Sequence, residues 1–245
     1  MHLQFVGCGD AFGSGGRFNT CFHLVGKKIN ALIDCGATSL VAMNKLAINL
    51  SDINTIFLTH FHADHVGGLP FFLLESHYVL KRRRGLTVAG PPSLKSRYGE
   101  IMETAFPGTK TMEWSFPLTL SEMEIGKRNE IGNLRITPFH VVHDDRAGPC
   151  LGFRIEAEGK VIAFSGDTEW TEALIDIGRR ADLFICEAYT RDKPIASHMA
   201  LSLLEPHLAQ IRPRRLLLTH MSNDMLARRA EVPFESAEDG MIVKL

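Results

Sequence analysis

Apolar residues come along this chain in short runs that stop at glycine, histidine or aspartate. Their spacing predicts strands and helices in two rounds. In the first, "LQFVGCG", "TCFHLVG" and "NALIDCG" are apolar or β-branched stretches punctuated by glycine, as short strands are. "TSLVAMNKLAI" has helical spacing, whereas "INTIFLTH" is an apolar run too short for a helix. "LPFFLLESHYVLKRR" predicts a helix with Pro70 in its first turn or kinking it. "GLTVAGPP" reads as a buried strand ending in a turn, and "SLKSRYGEIMETAF" as a helix with Ser93 as N-cap.

The second round repeats the scheme. "NLRITPFHVVH", "CLGFRIEA" and "KVIAFSGDT" predict strands, "TEALIDIGRR" a helix and "ADLFICEA" a buried strand. "SHMALSLLEPHLAQIR" is helical with Pro206 as a kink, "RRLLLTHMS" is a strand, and "GMIVKL" closes the pattern as another. Neither a sequence repeat nor a low-complexity linker separates the rounds, so the pattern predicts one layered α/β domain over residues 1–245, built from two similar halves.

Composition narrows this only slightly. Hydrophobic residues make up 45% and charged residues 22%, enough for a sizeable core. A net charge of -1 gives no global pull toward nucleic acid or membrane. The five cysteines are scattered and form no C-x-x-C pair, against a disulfide framework or a structural zinc knuckle. No signal peptide is read at "MHLQFVGCGD", and no apolar run approaches the roughly 20 residues that span a bilayer, so no membrane partner is expected and the cytoplasm is the default compartment.

Chemistry enters at "FLTHFHADHVGG". Four groups able to bind metal, His60, His62, Asp64 and His65, fall within six positions just after a buried-type run. The i, i+2 histidines share one side of an extended segment, and imidazole with carboxylate suits zinc, manganese or iron. Further candidates close apolar runs downstream: His143 in "FHVVHDD", Asp167 in "FSGDTEW" and His220 in "LLLTHMS". Open α/β sheets gather their sites at such strand ends. Seven groups are too many for one tetrahedral zinc and suit two ions sharing a carboxylate. His140 lies close to His143, and strand alternation puts the two on opposite faces, so both should not point at the same ions.

The pattern T-H-x-H-x-D-H, then a lone His, then G-D-T, then T-H resembles the metallo-β-lactamase superfamily, along essentially the whole chain. Within it the chain is most similar to the branch of ribonuclease Z and the cyclic phosphodiesterases. The resemblance implies a four-layer αβ/βα sandwich with the site at one edge between the halves. It implies that His60, His62 and His143 hold one ion, that Asp64, His65 and His220 hold another, and that Asp167 bridges them. It also selects His143 over His140. The expected cofactors are therefore two divalent ions, zinc before manganese or iron. The expected reaction is phosphodiester hydrolysis by a metal-bridging hydroxide that Asp64 orients. His198, in "ASHMALSLL" at the predicted start of a helix, is the expected proton donor to the leaving group, as the resemblance implies.

Substitutions weigh the relatives. Redox di-iron members carry Glu where this chain has His62, and some true β-lactamases carry Cys where it has Asp167. Glyoxalase II-like hydrolysis of thioesters, lactones or carboxylic esters stays as the alternative, and a metal-binding scaffold without turnover as a further one. Ribonuclease Z carries a long arm for tRNA between these His and Asp positions. The corresponding stretch here, "CLGFRIEAEGKVIAF", leaves room only for a strand, turn and strand. Pre-tRNA is accordingly disfavoured against a small molecule or short nucleotide; a homodimer is compatible with the chain.

The remaining features read more plainly. "KRRRG" is expected to be the solvated end of a helix, and "GCGDAFGSGGR" a loop near the site with Arg17 as an anion contact. Asp34 and Glu187 end apolar strands and are expected to support the site by hydrogen bonds. His2, His23, His77 and His207 are expected to be structural or surface residues, and Cys8, Cys35, Cys150 and Cys186 small core residues.

Overall fold

The computed structural model describes residues 1–245, apart from the side chain of Ala147. Fourteen strands occur among them. The first six are β1 (His2–Gly7), β2 (Cys21–Val25), β3 (Asn30–Ile33), β4 (Thr55–Phe57), β5 (Leu86–Gly90) and β6 (Leu118–Glu122). The next four are β7 (Asn129–Ile131), β8 (Leu134–His140), β9 (Leu151–Ala157) and β10 (Lys160–Phe164). The last four are β11 (Leu183–Glu187), β12 (Leu216–Thr219), β13 (Glu235–Ser236) and β14 (Ile242–Lys244). They form two seven-stranded sheets, ordered β14-β1-β2-β3-β4-β5-β6 and β13-β12-β11-β10-β9-β8-β7.

Each half runs antiparallel first and parallel afterwards: β1 to β3, then β3 to β6; β7 to β10, then β10 to β13. The burial of individual strands follows this change. β8 alternates between buried and partly exposed positions, whereas β4 and β11 are buried at every residue, as parallel strands covered on both faces are. Between the sheets lies one core, where Phe22 meets Phe164 edge-on at 5.0 Å and Phe57 meets Phe153 at 6.5 Å.

Helices cover both outer faces. On the first sheet lie α1 (Ser39–Lys45), α2 (Ala63–Val66), α3 (Leu69–Leu74) and α4 (Leu94–Ala105). On the second lie α5 (Ala173–Gly178), α6 (Leu201–Leu204), α7 (Leu208–Ile211) and α8 (Asn223–Ala227). Helix, sheet, sheet, helix is the expected four-layer sandwich. No helix among the described residues is long and apolar enough to cross a membrane.

Several expectations need correction. Pro70 does sit in the first turn of α3, but the helix widens into a π turn over Glu75–Val79. Ser93 occupies the N-cap position of α4 without capping it: its φ is +79° and its hydroxyl has no partner. "KRRRG" is not uniformly solvated. Arg82 is buried, and its guanidinium donates to the carbonyls of Leu50, Ile53, Arg84 and Gly85, so that the charge is met by four backbone acceptors. The helix expected from Ser197 begins only at Leu201, and Pro206 breaks it into α6, a 3₁₀ turn and α7. β8 ends at His140, so alternation along a strand does not govern His143.

Candidate metal centre

The strand ends converge at one edge of the sandwich. Beyond β4 the chain passes through Thr59 and His60 into α2, which carries Asp64 and His65. Gly68 lets this turn lie against the end of β3, because a Cβ there would stand 2.3 Å from the Gly36 carbonyl oxygen. From the second sheet Asp167 follows β10, Glu187 ends β11, and His220 follows β12 with φ +56°. His143 reaches the same place from the loop after β8.

All seven expected donors are brought together. Ligand atoms of His60, His62 and His143 lie within 4.8 Å of one another, as do those of Asp64, His65, Asp167 and His220. Asp167 Oδ2 stands between the two groups, 3.1 Å from His65 Nε2, 3.2 Å from His220 Nε2, and 3.9 Å from both His60 Nε2 and His143 Nε2. His140 lies outside; its ring is half-exposed and pairs with Asp145 at 3.0 Å.

The hydrogen bonds behind the imidazoles decide which nitrogen faces the centre. The Thr59 hydroxyl donates to Asp34 at 2.8 Å, so it accepts from His60 Nδ1–H at 3.0 Å. Asp34 also accepts from His65 Nδ1–H at 2.7 Å. The Ser197 carbonyl can only accept, which puts the proton of His143 on Nδ1, 2.6 Å away. The Thr20 hydroxyl donates to the Gly9 carbonyl and accepts from His220 Nδ1–H at 3.3 Å. His60, His143 and His220 thus present an unprotonated Nε2 to the centre. His65 turns its Nε2 there too, where burial opposes its charge but the carboxylates of Asp167, Asp64 and Asp34 hold it well above the usual histidine range. His62 is the exception: its Nδ1 faces His143 Nε2 at 3.0 Å, and its Nε2 faces Asp144 at 3.6 Å.

This arrangement fits bound cations. His60 Nε2 and Asp167 Oδ1 are buried and have no hydrogen-bond partner. Burial and the neighbouring imidazole of His65 push His60 well below the usual histidine range, so it is neutral and able to ligate. Burial opposes the charge on Asp167, yet the imidazoles of His220 and His65 hold its carboxyl well below the usual carboxylate range. Negative charge is thereby concentrated where the lone pairs meet.

His198 stands beside this set. Its ring stacks on Tyr189 at 4.6 Å and lies 4.9 Å from the His143 ring. Its Nδ1 is hydrogen-bonded to Glu187, whose other oxygen accepts from the Thr168 amide at 2.7 Å. Burial works against protonation of His198, but the hydrogen bond and charge of Glu187 raise it to about 9. Burial lifts Glu187 itself to about 7, with the nearby Asp167 charge adding to the rise. The carboxylate, not a helix terminus, governs this imidazole.

Asp34 and Glu187 make the supporting hydrogen bonds expected of them. Arg17 donates to the Ala237 carbonyl at 2.9 Å and to Cys8 Sγ at 3.5 Å. Sequence reasoning missed Thr20, Glu169, Ser197 and Tyr189, whose types and positions carry no motif, and Thr59, which the T-H dipeptide did offer.

The chain matches the family model described as anti-Pycsar protein Apyc1 over residues 1–237. It belongs to that family. Ribonuclease Z of Bacillus velezensis is 26% identical over 297 residues, covering 97% of this chain and 92% of the relative. Ribonuclease Z of Agathobacter rectalis is 31% identical over 140 residues, and there the match spans 57% of this chain and 43% of the relative. The fold is that of the metallo-β-lactamase fold protein YhfI from Bacillus subtilis, with TM-score 0.80 and 19% identity, covering 99% and 98% of the two chains. The short form of human tRNase Z aligns at TM-score 0.78 and 23% identity over 100% and 99%. This Apyc1-family chain is a metal-dependent hydrolase of the metallo-β-lactamase superfamily, near the branch of ribonuclease Z and the phosphodiesterases.

Proposed function

We propose that the chain holds two divalent ions, zinc before manganese or iron, and hydrolyses small phosphodiesters. The observation carrying this is the convergence of seven donors, with the Nε2 lone pairs of His60, His143 and His220 among them and the second Asp167 oxygen buried without a partner. His60, His62 and His143 would hold one ion, and Asp64, His65 and His220 the other, with Asp167 between them. Bound ions supply Lewis acidity and a nucleophile deprotonated at neutral pH. Asp64, beside His65 and His220, is placed to accept a hydrogen bond from the attacking group. As the ester P–O bond breaks, the departing oxygen takes a proton from His198 Nε2, which has no hydrogen-bond partner among the described residues. Glu187 behind Nδ1 keeps that imidazole charged until then.

A small substrate is favoured by the stretch between His143 and Asp167, which is filled by the 3₁₀ turn Asp145–Ala147, β9, a tight turn and β10, with no protruding arm among the described residues. The test is kcat/KM for alkyl and nitrophenyl phosphodiesters, a thioester, a lactone and a pre-tRNA 3′ trailer. Small diesters are expected to be turned over at least as efficiently as the trailer is removed. Trailer removal without small-diester turnover, or a preference for the thioester, would reverse the assignment.

A further inference from the structure

Ser197 holds His143 at two points. Its carbonyl accepts the ring Nδ1 proton at 2.6 Å, and its hydroxyl donates to the His143 carbonyl at 3.1 Å. Both contacts depend on the backbone at Ser197, where φ is +71°. A left-handed conformation costs a residue with a side chain roughly 1 kcal/mol or more, and it persists only where the surroundings enforce it.

The turn is closed by the His198 amide, which donates to the Ile195 carbonyl at 3.3 Å, and its outer anchor is Glu169. Its Oε1 accepts from the Ser197 amide at 2.7 Å. The stretch just before it, residues 192–196, is solvent-exposed. Glu169 is itself tied down: its amide donates to the Val142 carbonyl at 2.8 Å, and the adjacent Thr168 hydroxyl accepts from the Val142 amide at 3.0 Å. With its backbone, therefore, Glu169 grips the residue before His143. With its side chain it grips the residue before His198.

We propose that Glu169 is a positioning residue that fixes the left-handed turn at Ser197, and so holds His143 Nε2 and His198 in register with the metal centre. Among the described residues its side chain hydrogen-bonds to none of the seven donors, so the effect of the carboxylate passes through Ser197. An amide N–H needs only an oxygen acceptor in the right place, and the carboxamide of glutamine supplies one without charge. The inference rests on the metal reading of the site but not on the identity of the substrate.

The experiment compares the full chain with Glu169→Ala, Glu169→Asp and Glu169→Gln. The first readout uses no substrate: zinc affinity of the apo-protein, by competition with a chromophoric chelator. Glu169→Ala should bind zinc about tenfold more weakly, the lower end of what losing an outer hydrogen bond costs a metal site. Its kcat should fall by more than its KM changes. Glu169→Gln should restore both, while Glu169→Asp, whose oxygen is withdrawn by one methylene, should fall between. Melting temperatures identify any variant that has lost its fold, in which case the Asp and Gln variants carry the comparison. Wild-type zinc affinity and kcat in Glu169→Ala would overturn the proposal. So would a Gln variant as impaired as Ala, since charge rather than an acceptor would then be what counts. Failure of the phosphodiesterase reading leaves the zinc measurement intact.

Discussion

At the scale of single residues, His198 differs from His60, His143 and His220 in what backs its Nδ1, and shares with His65 a carboxylate there. His60, His143 and His220 donate to neutral oxygens, whereas His198 leans on the carboxylate of Glu187. A proton donor without ligand duty predicts that His198→Ala keeps its metal and loses kcat by roughly 10²–10⁴-fold on an alkyl diester. A nitrophenolate leaves without protonation, so the same variant should retain most activity on nitrophenyl diesters. Parallel kinetics and metal content decide: equal losses on both esters remove His198 as the acid, and loss of metal makes it a ligand. The gathering of His60, His62, Asp64 and His65 was legible because six consecutive positions carry it. Ser197, Thr20 and Glu169 were not, because a carbonyl, a hydroxyl or an exposed-looking acid gains its role only from a neighbour far along the chain. Arg82 was misread for the same reason: a run of positive charge does not reveal that backbone carbonyls surround its second member.

At the scale of elements, the buried strands were readable and the edges were not. β6 and β7 are partly exposed edge strands, and β13 has two residues, so none shows a usable apolar period. The stretch around His198 was read as helix because "SHMALSLL" has the right spacing, yet the bonds of Ser197 to Glu169 and His143 keep it irregular up to Leu201. Between strands, Asp182 joins β10 to the entries of β11 and β12, accepting from the Val161 amide at 2.9 Å and from Arg214 at 3.0 Å. Burial opposes its charge, but that amide and the Lys160 and Arg214 cations hold its carboxyl below the usual range. A depressed carboxylate stabilises the fold above its unfolded value of about 3.9, and that stabilisation is lost as pH falls through the folded value. Asp182→Asn should therefore cost roughly 1 kcal/mol near pH 7, and the gap from wild type should shrink below about pH 4. Urea melts at the two pH values check this; a gap that persists in acid would assign the effect to packing.

At the scale of the whole molecule, the metal centre is where the two halves meet, since α2 belongs to one and Asp167 and His220 to the other. Reconstituted protein should contain about two ions per chain, as a two-metal site requires, and Asp167→Ala should lose at least one. Because ions bound only by the folded state add stability by mass action, chelation should lower the melting temperature. Elemental analysis and melts with and without chelator test both, and one ion or fewer after reconstitution would defeat the dinuclear reading. The two-halved layered architecture was legible because apolar runs recur in the same order, whereas sheet membership was not: β14 follows the second half in sequence but pairs with β1 in the first sheet.

That pairing has a kinetic side. His2 stands opposite Lys244, so the contact closes a loop of more than two hundred residues. Entropy alone hardly forbids it, because each doubling of loop length adds only about 0.6 kcal/mol. Non-local contacts nevertheless form slowly. While β1 waits for β14, one margin of its sheet displays unpaired amides and carbonyls that any extended segment can adopt. Misfolding of this chain, by strand addition from a neighbour, should begin along β1.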